Sequence, residues 1–152
     1  SNDDLVTALI MLDDMTMDNG CLMVVPGSHK GPLYSLFCED VFTGRVAENL
    51  EQQCKGDSIA ITGKAGSVCL MHTRLLHGSE PNVSSHPRGL YICVYSAEDA
   101  IPLAPNPMPN PHEGLVVRGY HTGTARMVDL KVELPRQPKS ASFFTVQGQA
   151  SA

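Results

Sequence analysis

Two apolar segments of the chain, residues 66–76 and 89–97, are separated by the polar stretch HGSEPNVSSHPR. The stretch is rich in Gly, Pro, Asn and Ser, which favour turns and loops. The pattern predicts a strand over 67–76, a loop over 78–87 and a second strand over 88–96. It places His77 at the end of the first strand and Arg88 at the start of the second.

Arg88 is expected to begin its strand on the apolar face. Side chains alternate along a strand, so Arg88 shares a face with Leu90, Ile92 and Val94. A guanidinium on an interior face is costly unless it is paired, and its planar fork pairs best with a carboxylate or a phosphate. Strand parity alone leaves open that Arg88 reaches solvent or a surface acid.

His77 is a candidate metal ligand, because a neutral imidazole binds transition metals well. A lone histidine at a strand end is more often a hydrogen-bonding residue. On a regular strand, His72 would lie on the opposite face from His77 and would not share its metal. The residues by themselves therefore give one ligand candidate and no second one at ligand spacing.

Short strands and turns dominate the rest of the chain, which predicts an all-β fold with a closed or sandwiched sheet. Further strands are expected over 5–12, 21–25 and 57–62, with Asn19-Gly20 as a hairpin turn between the first two. A short helix is expected within 36–53. Residues 1–100 are expected to hold the core strands, and residues 101–152 a proline-rich connector with a C-terminal strand (125–134) and tail packed on the same domain.

Composition excludes several classes of protein. The 152 residues carry a net charge of -5 with no basic block, which argues against a nucleic-acid partner. No apolar run reaches membrane-spanning length. The five cysteines form no C-x-x-C pair, so a reducing cytoplasm is the expected setting.

Three segments then carry a family resemblance: LDDMTMDNGCLMVVPGSHKG, GSVCLMHTRLLHGSEPNVSSHPRGLY and, more weakly, PRQPKSASFFTVQGQ. Together they span most of the chain in order, and the pairing of NG…PGSH with HGS…R is more specific than either motif alone. The chain resembles the phytanoyl-CoA dioxygenase family, a branch of the non-haem iron, 2-oxoglutarate-dependent oxygenases.

The resemblance implies a double-stranded β-helix, or jelly roll, and a dioxygenase that uses Fe(II) and 2-oxoglutarate to hydroxylate a small organic substrate. It implies that His77 is the distal iron ligand, that Arg88 clamps the far carboxylate of 2-oxoglutarate, and that Ser79 assists Arg88. It assigns no catalytic group beyond the metal site.

The chain departs from the family in one respect. The family's other two iron ligands form an H-x-D motif, and no histidine of this sequence has an aspartate two residues later. The expectation is that these two ligands precede Ser1, so that the chain is the C-terminal portion of an enzyme, lacks its N-terminal strands, and is inactive alone. Edges left unpaired in the sheet are expected to make copies associate.

Two other functions remain open: a cupin-like isomerase or epimerase that uses histidines for proton transfer, and a non-catalytic jelly-roll binding module. A structural zinc domain is disfavoured because the cysteines and histidines lack ligand spacing.

The remaining motif residues receive structural interpretations. Residues 26–29 are expected to form a loop near the cavity mouth, where His29 is a minor candidate for substrate contact. His72 is interpreted as a core histidine with a hydrogen bond. Asn82 and Ser84 are expected to brace the loop before Arg88, and two further histidines are expected at the surface, His112 and His121.

Overall fold

The computed structural model describes residues 1–39, 41–106 and 109–134. The weakest of the three resembling segments, residues 135–149, lies outside them. The described residues form eight strands, one α-helix and one 3-10 turn. In chain order these are β1 (Leu5–Met11), β2 (Leu22–Val24), the 3-10 turn (Ser28–Lys30), β3 (Phe37–Cys38), β4 (Val41–Phe42), α1 (Glu48–Asp57), β5 (Ile59–Ile61), β6 (Val68–His72), β7 (His77–Ser79) and β8 (Leu90–Ser96).

The chain divides into two compact units. One unit, residues 3–32 and 53–97, contains two antiparallel sheets with strand orders β6-β1-β8 and β5-β2-β7. The other contains residues 1–2, 33–52 and the described residues between 98 and 134, with the short β3-β4 pair. The predicted all-β class with antiparallel sheets is confirmed. Across the described ranges no helix is long and apolar enough to cross a membrane.

The core of the first unit is formed by side chains from both of its sheets. Leu9 and Met11 of β1 pack in one cluster with Leu22 and Val24 of β2. Cross-strand partners in a ladder point to the same side of a sheet, so these buried residues identify the core-facing side of each sheet. Burying a side chain of this size contributes about 1.5–3 kcal/mol.

The expected hairpin between the first two strands is wrong. β1 pairs with β6 and β8, whereas β2 pairs with β5 and β7, so residues 12–21 cross from one sheet to the other. The side chain of Asn19 is buried. Its Oδ1 accepts the Thr16 N–H at 2.9 Å, and its Nδ2 donates to the Asp14 carbonyl at 2.7 Å. These bonds close a compact loop where a two-residue turn was expected.

The strand predicted over 67–76 ends early, and a second strand follows it after a turn. β6 ends at His72, a turn follows in which Leu75 N–H donates to the His72 carbonyl at 3.0 Å, and β7 begins at His77 in the other sheet. His77 therefore opens a strand where it was expected to end one. The comparison of its face with that of His72 does not apply, because the two residues belong to different sheets.

Two other expectations about the fold are also corrected. The helix lies at Glu48–Asp57, later than expected, and the β3-β4 pair occupies part of the range proposed for it. The strand predicted over 125–134 is absent, since those residues have no regular structure. Their N–H groups bond to scattered partners, such as Arg126 N–H to the Asp99 carbonyl and Leu130 N–H to the Val128 carbonyl, so no ladder forms.

Candidate functional site

His77 and Ser79 lie on the core-facing side of their sheet. In the register of β2 with β7, His77 is opposite Val24 and Ser79 is opposite Leu22. Val24 and Leu22 are buried, yet His77 and Ser79 are exposed. The two polar side chains therefore lie on the core-facing side of the sheet, on its edge strand β7, where no other part of the described chain covers them.

A backbone hydrogen bond orients the imidazole of His77. Its Nδ1 lies 2.7 Å from the carbonyl oxygen of Leu75. A carbonyl oxygen can only accept, so Nδ1 carries the proton and Nε2 of the neutral ring keeps its lone pair. A histidine that is held through one ring nitrogen and offers the other matches the usual arrangement of a metal ligand.

Arg88 lies two residues before β8. Gly89, which follows it, is tied down through its N–H to Asp13 Oδ2 at 2.8 Å and through its carbonyl to the Leu12 N–H at 2.9 Å. Nε of Arg88 is buried and has no hydrogen-bond partner within the described part of the chain. A buried N–H without a partner is costly and calls for an explanation such as an absent ligand.

The strand expected to begin at Arg88 begins at Leu90, and the parity predicted for its aliphatic residues is confirmed. Leu90 is opposite Met11, Ile92 is opposite Leu9 and Val94 is opposite Thr7, and all three β1 partners are buried. The aliphatic face of β8 is thus the core-facing one. Beyond Leu90 this face is uncovered, since Ile92 and Val94 are 56% and 57% exposed.

The loop that leads to Arg88 is braced from within, as expected. Asn82 Nδ2 donates to the His86 carbonyl at 2.7 Å, and Asn82 Oδ1 accepts the Ser84 N–H and Oγ–H, both at 2.9 Å. The conformation of the loop before Arg88 is therefore fixed locally by Asn82.

The same loop is held from outside by residues 12–21, which the sequence interpretation treated only as a turn. Val83 N–H donates to the Asp18 carbonyl at 3.1 Å. Gly20, at φ +75°, leaves only 2.3 Å between an added Cβ and the carbonyl oxygen of Glu80. The segment DDMTMDNG therefore positions the approach to Arg88, and its place in the resembling motif was the one available signal.

His29 and His72 form a stacked histidine pair, with ring centroids 5.3 Å apart. Nδ1 of His29 is buried without a partner among the described residues, whereas His72 Nδ1 accepts the Arg74 N–H at 3.0 Å. The expected hydrogen bond of His72 is thus present. Arg74 also bonds to Asp3, and this hydrogen bond lowers the pKa of the Asp3 carboxyl.

His112 and His121 are exposed, as expected for surface residues. His121 Nδ1 lies 3.3 Å from Glu98 Oε1.

The described residues differ in how well they fit the two groups that the resemblance implies. The unpartnered Nε of Arg88 fits a carboxylate such as that of 2-oxoglutarate. Among the described residues, no three His, Cys, Asp or Glu side chains are grouped so that they could hold a metal ion. His77 thus offers one ligand, and the described residues do not form a complete iron site.

Ser1, before which the H-x-D ligands are expected, is held by the chain that follows β8. Its N-terminal amino group donates to the Ile101 carbonyl at 2.6 Å, and its Oγ–H donates to the Asp99 carbonyl at 3.2 Å. These bonds use the backbone of residues 99–101 and involve none of the three predicted site residues. The origin of the other two iron ligands therefore stays a prediction.

Comparison with known proteins shows that this chain is similar to dioxygenases. A probable alpha-ketoglutarate-dependent hypophosphite dioxygenase of Stutzerimonas stutzeri is 36% identical over 89% of this chain and 49% of its own length. A phytanoyl-CoA dioxygenase of Arabidopsis thaliana is 33% identical over 66% of this chain and 38% of its own length. The chain thus spans half or less of the length of these relatives.

A solved structure shares the fold. EctD from S. alaskensis, with 2-oxoglutarate and 5-hydroxyectoine, matches with a TM-score of 0.52 and 33% identity over 62% of this chain and 31% of that chain. The predicted jelly-roll fold is confirmed by this match. The profile of the family described as Phytanoyl-CoA dioxygenase (PhyH) matches residues 1–90. This chain belongs to the phytanoyl-CoA dioxygenase family.

Proposed function

We propose that this chain is part of an Fe(II)- and 2-oxoglutarate-dependent dioxygenase that hydroxylates a small organic molecule. In this proposal Arg88 binds the far carboxylate of 2-oxoglutarate with help from the Ser79 hydroxyl, and His77 is an iron ligand. Family membership supports it, as does the presence of 2-oxoglutarate in the matching EctD structure.

The observation that carries the proposal is the unpartnered Nε of Arg88. Leaving a buried donor unpaired costs about 1–3 kcal/mol. A two-pronged contact with a carboxylate would satisfy that donor and add the attraction between opposite charges. The backbone next to Arg88 is held by the hydrogen bond from Gly89 N–H to Asp13, which fixes where the side chain of Arg88 begins.

His77 is preorganised for its role. The Leu75 carbonyl fixes the ring through Nδ1 and leaves Nε2 to bind the metal. When bound, iron with 2-oxoglutarate and O2 supplies the oxidising chemistry, and succinate and carbon dioxide are the co-products. The contribution of this chain would be to supply one metal ligand, His77, and to fix the far end of the diacid through Arg88.

The other two ligands are proposed to belong to an H-x-D pair of a longer polypeptide, since the 152 residues contain no such motif. One imidazole holds ferrous iron weakly, so the chain alone is expected to form no succinate. The five cysteines are free thiols, which suits a reducing compartment such as the cytoplasm.

Succinate formation from 2-oxoglutarate, with Fe(II) and O2, tests the proposal. We expect none from the chain alone and turnover from a gene product that includes an H-x-D pair. There, His77→Ala should abolish iron retention, and Arg88→Lys should raise the KM for 2-oxoglutarate at least tenfold. Full activity of either variant would overturn the site assignment, and a reaction independent of 2-oxoglutarate would favour the cupin-like isomerase.

A further inference from the structure

Three sulfur atoms lie close together on the segment that joins β1 to β2 and on β2 itself, apart from the residues proposed for the oxygenase site. They belong to Met17, Cys21 and Met23, in the local pattern M-x-x-x-C-x-M. Cys21 is only 2% exposed, whereas Met17 is 65% exposed. The cluster therefore has a buried thiol with a thioether leading from it to solvent.

The distances from the Cys21 sulfur to the two methionine sulfurs are close to those between ligands of one metal ion. The thiol sulfur of Cys21 lies 3.7 Å from Met17 Sδ and 4.0 Å from Met23 Sδ. Metal–sulfur bonds of about 2.3 Å place two sulfur ligands about 3.8 Å apart at a tetrahedral angle and about 4.0 Å apart at a trigonal one. The 4.0 Å separation equals the trigonal value, and the 3.7 Å separation is close to the tetrahedral one.

We propose that Met17, Cys21 and Met23 form a binding site for a soft monovalent cation, Cu(I) or Ag(I). Thiolate and thioether sulfur are soft ligands and select Cu(I) over hard ions. Binding replaces the Cys21 S–H proton with the metal and releases that proton to the buffer.

Charge balance favours a monovalent ion at this position. One thiolate and one monovalent cation form a neutral unit, which is tolerated where Cys21 is buried. A divalent ion with the same three sulfurs would leave one net positive charge in the interior, where an unpaired charge is costly. Zn(II) is therefore expected to compete poorly.

Anaerobic titration of the chain with Cu(I), against a chromophoric Cu(I) chelator, measures the affinity. Since Met17 is largely exposed, Met17→Leu keeps the fold and should weaken Cu(I) binding at least tenfold. Met127→Leu, at a methionine that is 71% exposed outside the cluster, is the matched control and should leave the affinity unchanged. Both variants carry Cys38→Ser to remove the exposed thiol from competition.

X-ray absorption at the copper edge gives the second readout. We expect three sulfur neighbours at about 2.3 Å, and two in Met17→Leu. Equal affinities of Met17→Leu and Met127→Leu, a first shell of nitrogen or oxygen, or displacement by equimolar Zn(II) would each overturn the proposal. None of these readouts depends on the proposed oxygenase activity.

Discussion

Nε of Arg88 is buried and has no hydrogen-bond partner among the described residues. A buried donor without a partner lowers the stability of the folded chain. Arg88→Met keeps the aliphatic stem and removes the unsatisfied donor, so it should raise the free energy of unfolding by about 1 kcal/mol. Urea unfolding measures the change.

The matched control for that prediction is Arg118→Met, at an exposed arginine, which should change the stability little. A loss of stability in Arg88→Met comparable to a core truncation would mean that Arg88 is paired in the folded chain.

Gly20 shows how a single residue holds the loop before Arg88. Gly20→Ala combines a φ of +75° with a Cβ 2.3 Å from the Glu80 carbonyl oxygen, so it should lower the free energy of unfolding by about 3 kcal/mol. Gly27→Ala, at φ +81° with nothing within 4 Å, should cost only about 1 kcal/mol. Equal effects in thermal or urea unfolding would show that the contact with Glu80 does not constrain Gly20.

At the scale of elements, the segments that join the strands contact residues that are distant in sequence. Asp3, before β1, pairs with Arg74, in the turn between β6 and β7. The hydrogen bond from Arg74 lowers the pKa of the Asp3 carboxyl below its usual 3.8. Because the folded pKa is depressed, the stabilisation is present near neutral pH and is lost as the pH falls through the folded pKa.

Asp3→Asn should therefore lower the melting temperature at pH 7, and the difference from the wild type should shrink as the pH falls below 3.8. Asp129→Asn, at an exposed aspartate, is the control for a general loss of charge. A difference between wild type and Asp3→Asn that stays constant from pH 7 to about pH 2.5 would contradict a role for this ion pair.

The sequence predicted those elements that depend on local patterns, and it missed those that depend on contacts between residues distant in sequence. The parity of β8 was predictable because alternation is a local property, and it placed Leu90, Ile92 and Val94 on the core-facing side. The turn at 73–76 was not, because the letters TRLL continue an apolar run and the partner of Arg74 is Asp3, 71 residues away. The hairpin turn predicted from Asn19-Gly20 was wrong for the same reason, because the contact of Gly20 with Glu80 cannot be read from the local sequence.

At the scale of the molecule, the sheet β6-β1-β8 exposes apolar side chains on the side away from the core. Val68 and Leu70 of β6 are 55% and 70% exposed, and Tyr91 of β8 is 59% exposed. The register puts Val68 opposite Ile10, and Ile10 opposite Tyr91, so these side chains share one face. Exposed apolar faces and free strand edges favour association.

We expect copies of the chain to associate as concentration rises, which sedimentation velocity measures. Leu70→Lys, on the outer face, should shift the equilibrium toward monomer. Val83→Lys, at an 82% exposed position in a loop, adds the same charge elsewhere and should leave association unchanged. A monomer at every concentration, or equal effects of the two lysines, would exclude this face as the site of association.

The all-β class could be predicted from strand alternation, and the three site residues remain a prediction from the HGS…R motif, because both patterns are compact signals. The division of the strands between two sheets could not, because it depends on which strands pair. His77 and Arg88 therefore follow from motifs, whereas the uncovered interior side that carries His77 and Ser79 follows only from the register with β2.

The proposed role of Arg88 is tested most directly by the NMR signal of its Nε–H group during titration with 2-oxoglutarate, with the signal assigned through its loss in Arg88→Lys. We predict a saturable shift of the Arg88 signal and none for Arg74, whose guanidinium already bonds to Asp3 and to the Gly31 carbonyl. Pyruvate, which lacks the second carboxylate, should leave Arg88 unmoved. An Arg88 signal that stays constant up to saturating 2-oxoglutarate would contradict the assignment of this residue as the carboxylate clamp.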